Sequence, residues 1–544
     1  MASTTTTARR DSVLLALASI VPVLPYVFVL AKHAVPRFDL VGDLAWMEYD
    51  TRRVWTADTL TGLSSRFYWS HPGPLFFWIA APFEAVCGAS GLHLAAAAVS
   101  SAAAATTVGV SRAFGGRVHA IAALLLVTAW FASYGNVAMN PWVRTVVVLP
   151  LLAYIVLASV FARGGVAVAV PAVLFGAIAS QTHVSTVPTV GAVGVVSLVS
   201  FFVGARRRGG TTSRERRHLL SAASLLALTC VPPLIEQACA TGHGNLRRLA
   251  EFFLHRTEPY KSLSVALRDW VMAVSWLPER VALASLPHDD AIAFAMRWDE
   301  VPPTLSPAGV AIGTMYVAAL IAAAIVARRR RDTTSLSLLC FAALGDIFSI
   351  LAVRAIIGDV HYSLLFWTTA PTCAGWIGIA STFAGVIAER IPMRRGWTTL
   401  TVALGLSIVG TTVLQASWLA RFPYAPASYP FDDVSRSEVY TALREQSRRD
   451  GLAPVVHLDG AWTIAVSMIL EYDRDGAGVY IGERERWAFP GGRSANGAPH
   501  VRHVWFADSW TPVPATIARC MQVLIEAKNI TVLTSQSDVT SCDR

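Results

Sequence analysis

The chain has 544 residues, of which 54% are hydrophobic and 15% charged, too little polar surface for a soluble protein of that length to cover its cores. Its formal net charge of +9 would suit nucleic acid or an anionic surface, and the distribution decides between them. The segments assigned to one side of the apolar runs carry 18 Arg against 4 acids, while the rest of the chain is acidic overall. That asymmetry is membrane topology under the positive-inside rule and excludes a nucleic-acid footprint.

Eleven apolar stretches are expected to cross the bilayer. The first, about Ser12 to Ala31, follows Arg9 and Arg10, which places the N-terminus in the cytoplasm, and it is too long for a removed signal peptide. Next come Leu92 to Val110 and Val118 to Tyr134 around the Arg112 to Arg117 turn, then Val143 to Val160 and Val166 to Ser180 around Arg163. A sixth span near Val190 to Val203 leads into the basic ARRRGGTTSRERR segment, and a seventh rises from Leu219 to about Leu234. A long outer loop is expected as far as Ser306. Spans eight and nine flank Arg328 to Arg331, spans ten and eleven flank Glu389 to Arg395, and everything after about Ser417 is outside.

One apolar stretch stands apart. Leu75 to Val86 is too short to cross about 30 Å of hydrocarbon, and a crossing there would reverse every later arginine cluster. SHPGPLFFWIAAPFEAVCG is therefore read as a helix lying on the outer face, its prolines setting the entry angle.

The outer turns collect the polar candidates. The first outer loop (32–90) carries FDLVGDLAWMEYD, with Asp39, Asp43, Glu48 and Asp50 just beyond the first span, where carboxylates can act as bases, hold a divalent cation near a lipid headgroup, or simply be solvated. SYGNVAMNPWVR and SQTHVSTVP place Asn136, Asn140, Gln181 and His183 at similar depth, as sugar-hydroxyl partners or as helix caps. Arg144 starts a span from outside and needs an anionic partner or the headgroups. Pro232 and Pro233 break regular backbone beside Glu236 and Gln237. LAVRAIIGDVHYSLLFW puts Arg354, Asp359, His361 and Tyr362 at the outer boundary, as an anion clamp or a salt-bridged rim.

Residues 418–544 read as a separate extracytoplasmic α/β domain. APVVHLDG, GVYIGE, HVWFADS and TVLTSQ are predicted strands, WTIAVSMILEYDRDG a helix ended by Gly476, and IARCMQVLIEA a second helix. His457, Asp459 and Trp462 are candidates for binding an acceptor glycan, against ordinary turn roles. Cys520 and Cys542 are placed to form a disulfide in an oxidising compartment. The other five cysteines (87, 230, 239, 340 and 373) lack metal-site spacing.

The order GDLAWMEYD, SHPGPLFFW, MNPW, QTHVSTVP and PPLIEQ with GNL resembles the GT-C superfamily of integral-membrane glycosyltransferases, over roughly Asp39 to Arg395. The Ala- and Arg-rich composition is similar to that of actinobacterial cell-envelope enzymes. The resemblance implies a plasma-membrane enzyme that moves a sugar from a polyprenyl-phosphate donor to an extracytoplasmic glycan or glycolipid acceptor. It implies Asp43 as the base, with His71 of SHPGPLFFW and Asn245 of GNL joining Asn140, Arg144, Gln181, His183 and Gln237 as substrate contacts. Many relatives carry an acid in the second outer turn where this chain has Asn140, so Glu48 or Glu236 is left to supply a second carboxylate. No acidic metal cluster is apparent, and metal independence is expected. Some relatives use decaprenyl-phosphate arabinofuranose, and pentose against hexose stays open. Inversion is the simpler expectation. The alternatives are a polyprenyl-linked sugar or lipid flippase, for which no internal repeat speaks, and a noncatalytic subunit acting with envelope-assembly partners.

The topology has a direct test. A single cysteine at position 208 should be shielded from a membrane-impermeant reagent in intact cells, and one at position 510 labelled. The reverse pattern would contradict the arrangement.

Overall fold

The computed structural model describes residues 11–535 except 33–34, 36, 38–39, 135–139, 241, 257, 284–304, 361, 391–403, 414–415, 417–432, 478, 483–487, 490–492, 495–499, 509–512, 514–520 and 528–529. The expected disulfide between Cys520 and Cys542, and the calls on Asp39, Asn136 and His361, lie outside the described residues.

Helices dominate. α1 (Asp11–Lys32) is followed by the short polar α2 (Gly42–Arg52), α3 (Leu75–Cys87) and α4 (Ala89–Tyr134). Gly116, at φ +81° and ψ −168°, breaks α4 into two helices, a conformation open only to glycine. The break falls within the expected Arg112 to Arg117 turn. α5 (Val148–Ala162), α6 (Ala169–Thr182), α7 (Val187–Arg207) and α8 (Ser213–Cys239) follow, then the short α9 (Asn245–Leu254), α10 (Leu263–Leu283), α11 (Pro307–Arg329), α12 (Thr333–Arg354) and α13 (Thr369–Arg390). Among the described residues seven helices are long and apolar enough to cross a membrane, with the broken α4 counted once, and Leu75–Cys87, Val148–Ala162, Val166–Thr182 and Leu404–Val413 are shorter apolar helices. The chain is a multi-pass helical membrane protein carrying a small C-terminal sheet.

Contacts sort the helix ends into two sets. At one end Asp11 pairs with Arg112 and Arg117, Arg163 donates to the Thr333 hydroxyl, and a Cβ on Gly164 would approach Arg208. These are the arginine turns that the charge alternation assigned to one side. At the opposite end lie α2, α3 and the C-terminal domain.

The expected long loop to Ser306 is not all loop. α10 runs beside α11, with Val271 against Gly313 and the Trp270 ring 6.2 Å from Tyr316. Its Arg268 and Asp269, an adjacent ion pair at 2.8 Å with Asp269 fully buried, are what hid this helix from a hydropathy reading.

The C-terminal domain comprises α14 (Asp433–Asp450), β1 (Ala453–Val456), α15 (Trp462–Arg474), β2 (Tyr480–Ile481), β3 (Arg493–Ser494), β4 (Val501–Asp508), β5 (Gln522–Ala527) and β6 (Ile530–Ser535). The sheet order is β3-β2-β1-β4-β6-β5, parallel from β3 to β4 and antiparallel through β6 and β5. QVLIEA, expected within a helix, is the edge strand β5. Its apolar run is short enough to read either way, and pairing with β6 from Gln522↔Thr534 to Ala527↔Ile530 settles it as strand.

This domain is fastened to α2 by charges. The Arg474 guanidinium donates to both oxygens of Glu48, at 2.8 and 2.5 Å, and also to Glu471. Arg37 pairs with Glu471 and Asp475, while Arg52 and Arg53 share Asp473. Arg52 also reaches Glu84 of α3 at 2.8 Å, so one network ties α3, α2 and the domain together.

Removing one member of a buried pair leaves the other charge uncompensated, at about 3–5 kcal/mol. Arg474→Ala should therefore lower the thermal midpoint of the detergent-solubilised protein by several degrees, whereas Arg449→Ala, which breaks an exposed pair with Glu445, should leave it nearly unchanged. Equal midpoints for the two variants would contradict this role for Arg474.

Candidate functional site: a cavity between the helices and the C-terminal domain

A cavity of about 1540 Å³ lies where α2, the 62–71 hairpin, the Asn140–Arg144 turn, the α6–α7 junction, α9, the end of α12 and the C-terminal domain converge. Its wall includes Asp43, Arg66, His71, Asn140, Trp142, Arg144, His183 and Asp359.

Asp43 owes its position to glycine. Gly42 opens α2 at φ +54°, and a Cβ there would meet Thr463 at 3.1 Å and the Trp462 ring at 3.3 Å. The turn puts Asp43 in the first turn of α2, where the helix dipole favours the carboxylate. Its Oδ2 accepts a 2.8 Å hydrogen bond from the Trp142 indole N–H.

Trp142 is fixed in turn by the residues before it. The Asn140 Oδ1 accepts from the Trp142 backbone N–H at 2.9 Å, and Thr145 donates to the Asn140 carbonyl at 2.8 Å, an Asx-type turn ahead of a Pro. On the face of the same indole lies Arg144, its guanidinium carbon 4.5 Å from the ring centroid, within cation–π range. Arg144 also donates to Ser363 at 3.0 Å.

Sequence reasoning missed Arg66. Residues Gly62 to His71 form a small hairpin closed by Gly62 N–H to His71 O and His71 N–H to Leu63 O, both 2.9 Å. Arg66 sits at its tip, exposed toward the cavity, over the Phe67 ring and within reach of Gly358 on the far wall. The only hint in the sequence was a cation five residues before the His71-Pro-Gly-Pro stretch.

The two cavity histidines are neutral. The His71 Nδ1 accepts from the Val184 backbone N–H at 3.1 Å, and the two rings lie 4.9 Å apart. Burial pushes the His71 imidazole down to about 3, with the nearby Arg144 charge adding to it. Burial also holds His183 well below the usual range, with the same neighbours contributing.

Several expected site residues are used to build the wall rather than to line it. Glu48 is taken up by Arg474. Glu236 accepts from the Asn245 N–H at 2.8 Å and Gln237 from the Arg247 N–H at 3.1 Å, so both satisfy orphan donors at the start of α9. The Asn245 side chain clasps the Ser70 peptide from both sides, at 2.7 and 2.9 Å. Gln181 donates to the Thr229 carbonyl at 2.7 Å and packs on Gly73. Arg354 donates to the Lys261 carbonyl at 3.1 Å, strapping the segment after α9 to α12. Of Arg354, Asp359, His361 and Tyr362, Asp359 is the one that the described residues place in the cavity wall.

α9, held in this way, turns Phe252 and Phe253 into the cavity. Phe252 lies 5.2 Å from Phe67 and 5.6 Å from Trp69, and Trp69 meets His71 edge-on. Leu351, Ile356, Ile357 and Tyr260 extend this apolar side. Among the described residues no group of three or more His, Cys, Asp or Glu gathers as metal ligands.

Two solved structures of ArnT from Cupriavidus metallidurans resemble this chain. The undecaprenyl phosphate-bound form matches at 14% identity and TM-score 0.45, over 96% of this chain and 98% of that one. The apo form matches at 14% identity and TM-score 0.49, over 93% and 97%. No family model and no curated protein matches the chain.

The histidines give the site a pH signature. A His whose folded pKa lies below its unfolded value of about 6.5 adds stability that is present above that value and lost as pH falls toward 3. Between pH 6.5 and 4.5 the wild type should lose stability more steeply than His71→Asn, by up to about 1.4 kcal/mol per pH unit. Parallel unfolding curves for the two proteins across that window would contradict a neutral buried His71.

Proposed function

We propose that this chain is a glycosyltransferase of the GT-C type, which moves a sugar from a polyprenyl-phosphate donor to an acceptor hydroxyl at the extracytoplasmic face of the plasma membrane. The observation that carries the reading is a cavity in which the Asp43 carboxylate, hydrogen-bonded to Trp142, lies together with two guanidinium groups, Arg66 and Arg144, beside an apolar aromatic wall. An isolated carboxylate would suit many roles. Joined to cations and a greasy wall at the mouth of a helix bundle, it suits a lipid phosphodiester whose phosphate departs as an anion.

In the reaction the acceptor oxygen forms a bond to the anomeric carbon as the bond from that carbon to the phosphate oxygen breaks. Asp43 takes the hydroxyl proton. Arg66 and Arg144 stabilise the charge that gathers on the leaving polyprenyl phosphate. The tail leaves past Phe252, Phe253, Tyr260 and the end of α12, and the single displacement inverts the sugar. The uncharged His71 and His183 add no competing positive charge and donate or accept hydrogen bonds to sugar hydroxyls.

Asp43→Asn keeps the shape and the Trp142 contact while removing the proton acceptor. With a panel of radiolabelled polyprenyl-phosphate pentoses and hexoses and membrane glycan as acceptor, it should lower transfer by about 100-fold to 10,000-fold and still bind undecaprenyl phosphate. Arg66→Gln and Arg144→Gln should each weaken that binding about 10-fold to 100-fold, as expected for lost charge-assisted hydrogen bonds. Wild-type transfer rates in Asp43→Asn would remove it as the base, and donor accumulation in sealed vesicles without covalent transfer would replace the enzyme with a transporter.

A further inference from the structure

The cavity has a roof of different chemistry from its walls. Leu458, Asp459, Trp462 and Ala488 of the C-terminal domain line it, although these residues lie more than 400 positions from Asp43 in sequence. The loop that carries three of them is rigid. Its backbone is pinned to β4 by His457 N–H to the Val504 carbonyl at 3.1 Å and Ala461 N–H to the Phe506 carbonyl at 2.8 Å, and it is closed by Trp462 N–H to the Gly460 carbonyl at 2.8 Å. Gly460, at φ +111°, fits only as glycine, since a Cβ would strike the Phe506 carbonyl at 2.4 Å. That turn fixes Asp459 and Trp462 on either side of it.

Ala488, the other part of the roof, and its neighbour Phe489 are held by Trp46. The Ala488 carbonyl accepts from the Trp46 indole at 3.1 Å, and Phe489 stacks on Trp46 at 4.6 Å and 3°. The Trp462 ring lies against the backbone of residue 42, one residue from Asp43. His457 is not part of this roof: it is hydrogen-bonded to His503 at 2.8 Å and stacked on Trp505 at 4.2 Å.

We propose that the loop Leu458–Trp462 is a saccharide subsite: a neutral sugar of the acceptor stacks on the Trp462 indole and hydrogen-bonds through its hydroxyls to Asp459, which brings the next hydroxyl to Asp43. The inference rests on the glycosyl-transfer reading for the identity of the sugar as acceptor, and on geometry alone for the site. The arginines and the apolar residues Phe252, Phe253 and Leu351 come from the hairpin and the helical part of the chain, so the lipid donor is accommodated on that side. The roof comes from the sheet domain and offers an aromatic plane with a carboxylate acceptor, a combination suited to an apolar sugar face ringed by hydroxyls. Because the Leu458–Trp462 loop is hydrogen-bonded to β4 before any ligand arrives, little ordering cost opposes binding.

The test is saturation-transfer NMR on the purified full chain with four linear hexasaccharides, arabinofuranosyl, galactofuranosyl, mannopyranosyl and glucopyranosyl. A parallel measurement records undecaprenyl phosphate binding. At least one hexasaccharide should give signals on the wild type and on Trp462→Phe, and lose them at least 10-fold in Trp462→Ala and Asp459→Asn, while all variants bind undecaprenyl phosphate as wild type does. No hexasaccharide signal on the wild type, or signals unchanged in Trp462→Ala and Asp459→Asn, overturns the proposal. If Trp462→Ala also loses the lipid, the ring is a structural support for Gly42 and the subsite is wrong. Trp462-dependent saccharide binding by a wild type that fails to bind undecaprenyl phosphate would uphold the subsite and defeat the glycosyl-transfer reading instead.

Discussion

One indole keeps two opposite charges apart. A carboxylate and a guanidinium in one half-dry cavity attract strongly, and if they met they would neutralise each other and leave nothing for a substrate. Trp142 prevents this by binding Asp43 through its edge, at the N–H, and Arg144 through its face. The two charges thus meet different parts of one ring. This depends on the Asn140-Pro141-Trp142 turn, and it gives Asn140 a reason to be an amide: its Oδ1 accepts the Trp142 N–H without adding a second negative charge beside Asp43.

The same logic of separation governs the larger architecture. α2 lies at the junction of three bodies: the helices beneath it, α3 beside it and α15 above. Its acids Glu48 and Asp50 are buried, and they serve different purposes. Glu48 is compensated by Arg474, whereas burial pushes the Asp50 carboxyl well above the usual range. Buried ion pairs add little net stability over apolar packing, but they tolerate few alternative alignments. A domain fastened through Arg37, Arg52, Arg53 and Arg474 is thereby set in register, and the register is what carries Trp462 to Gly42 and roofs the cavity.

Local periodicity and charge alternation were enough to read most of the helical part. The arginine turns at one end of the helices and the short helix at Leu75–Cys87 both depend on patterns within a few dozen residues. What failed did so for a physical reason in each case. α10 carries an adjacent Arg268 and Asp269, and a charge pair inside a helix defeats a hydropathy window although the pair is self-compensating. QVLIEA has a composition compatible with helix or strand, and only its pairing with β6 decides. Glu48 and Arg474 are 426 residues apart, and no local signal links them. α8 runs on through Pro232 and Pro233 to Cys239, whereas Glu236 and Gln237 were singled out beside a proline pair expected to break the backbone, and Asn245 through the family resemblance. Their task is to hold α9 and the Ser70 peptide, which puts Phe252, Phe253 and Trp69 in the wall. Arg66 went unnoticed because a lone arginine in a loop has no signature until the hairpin aims it.

The most direct test of the account is a cryo-EM structure of the full chain with undecaprenyl phosphate. The account places the phosphate between Arg66 and Arg144 on the Asp43 side of the cavity, with the isoprenoid chain passing Phe252 and Phe253 toward the membrane. A well-resolved lipid phosphate held elsewhere, with this cavity open to water and Arg144 still on Trp142 and Ser363, would contradict it.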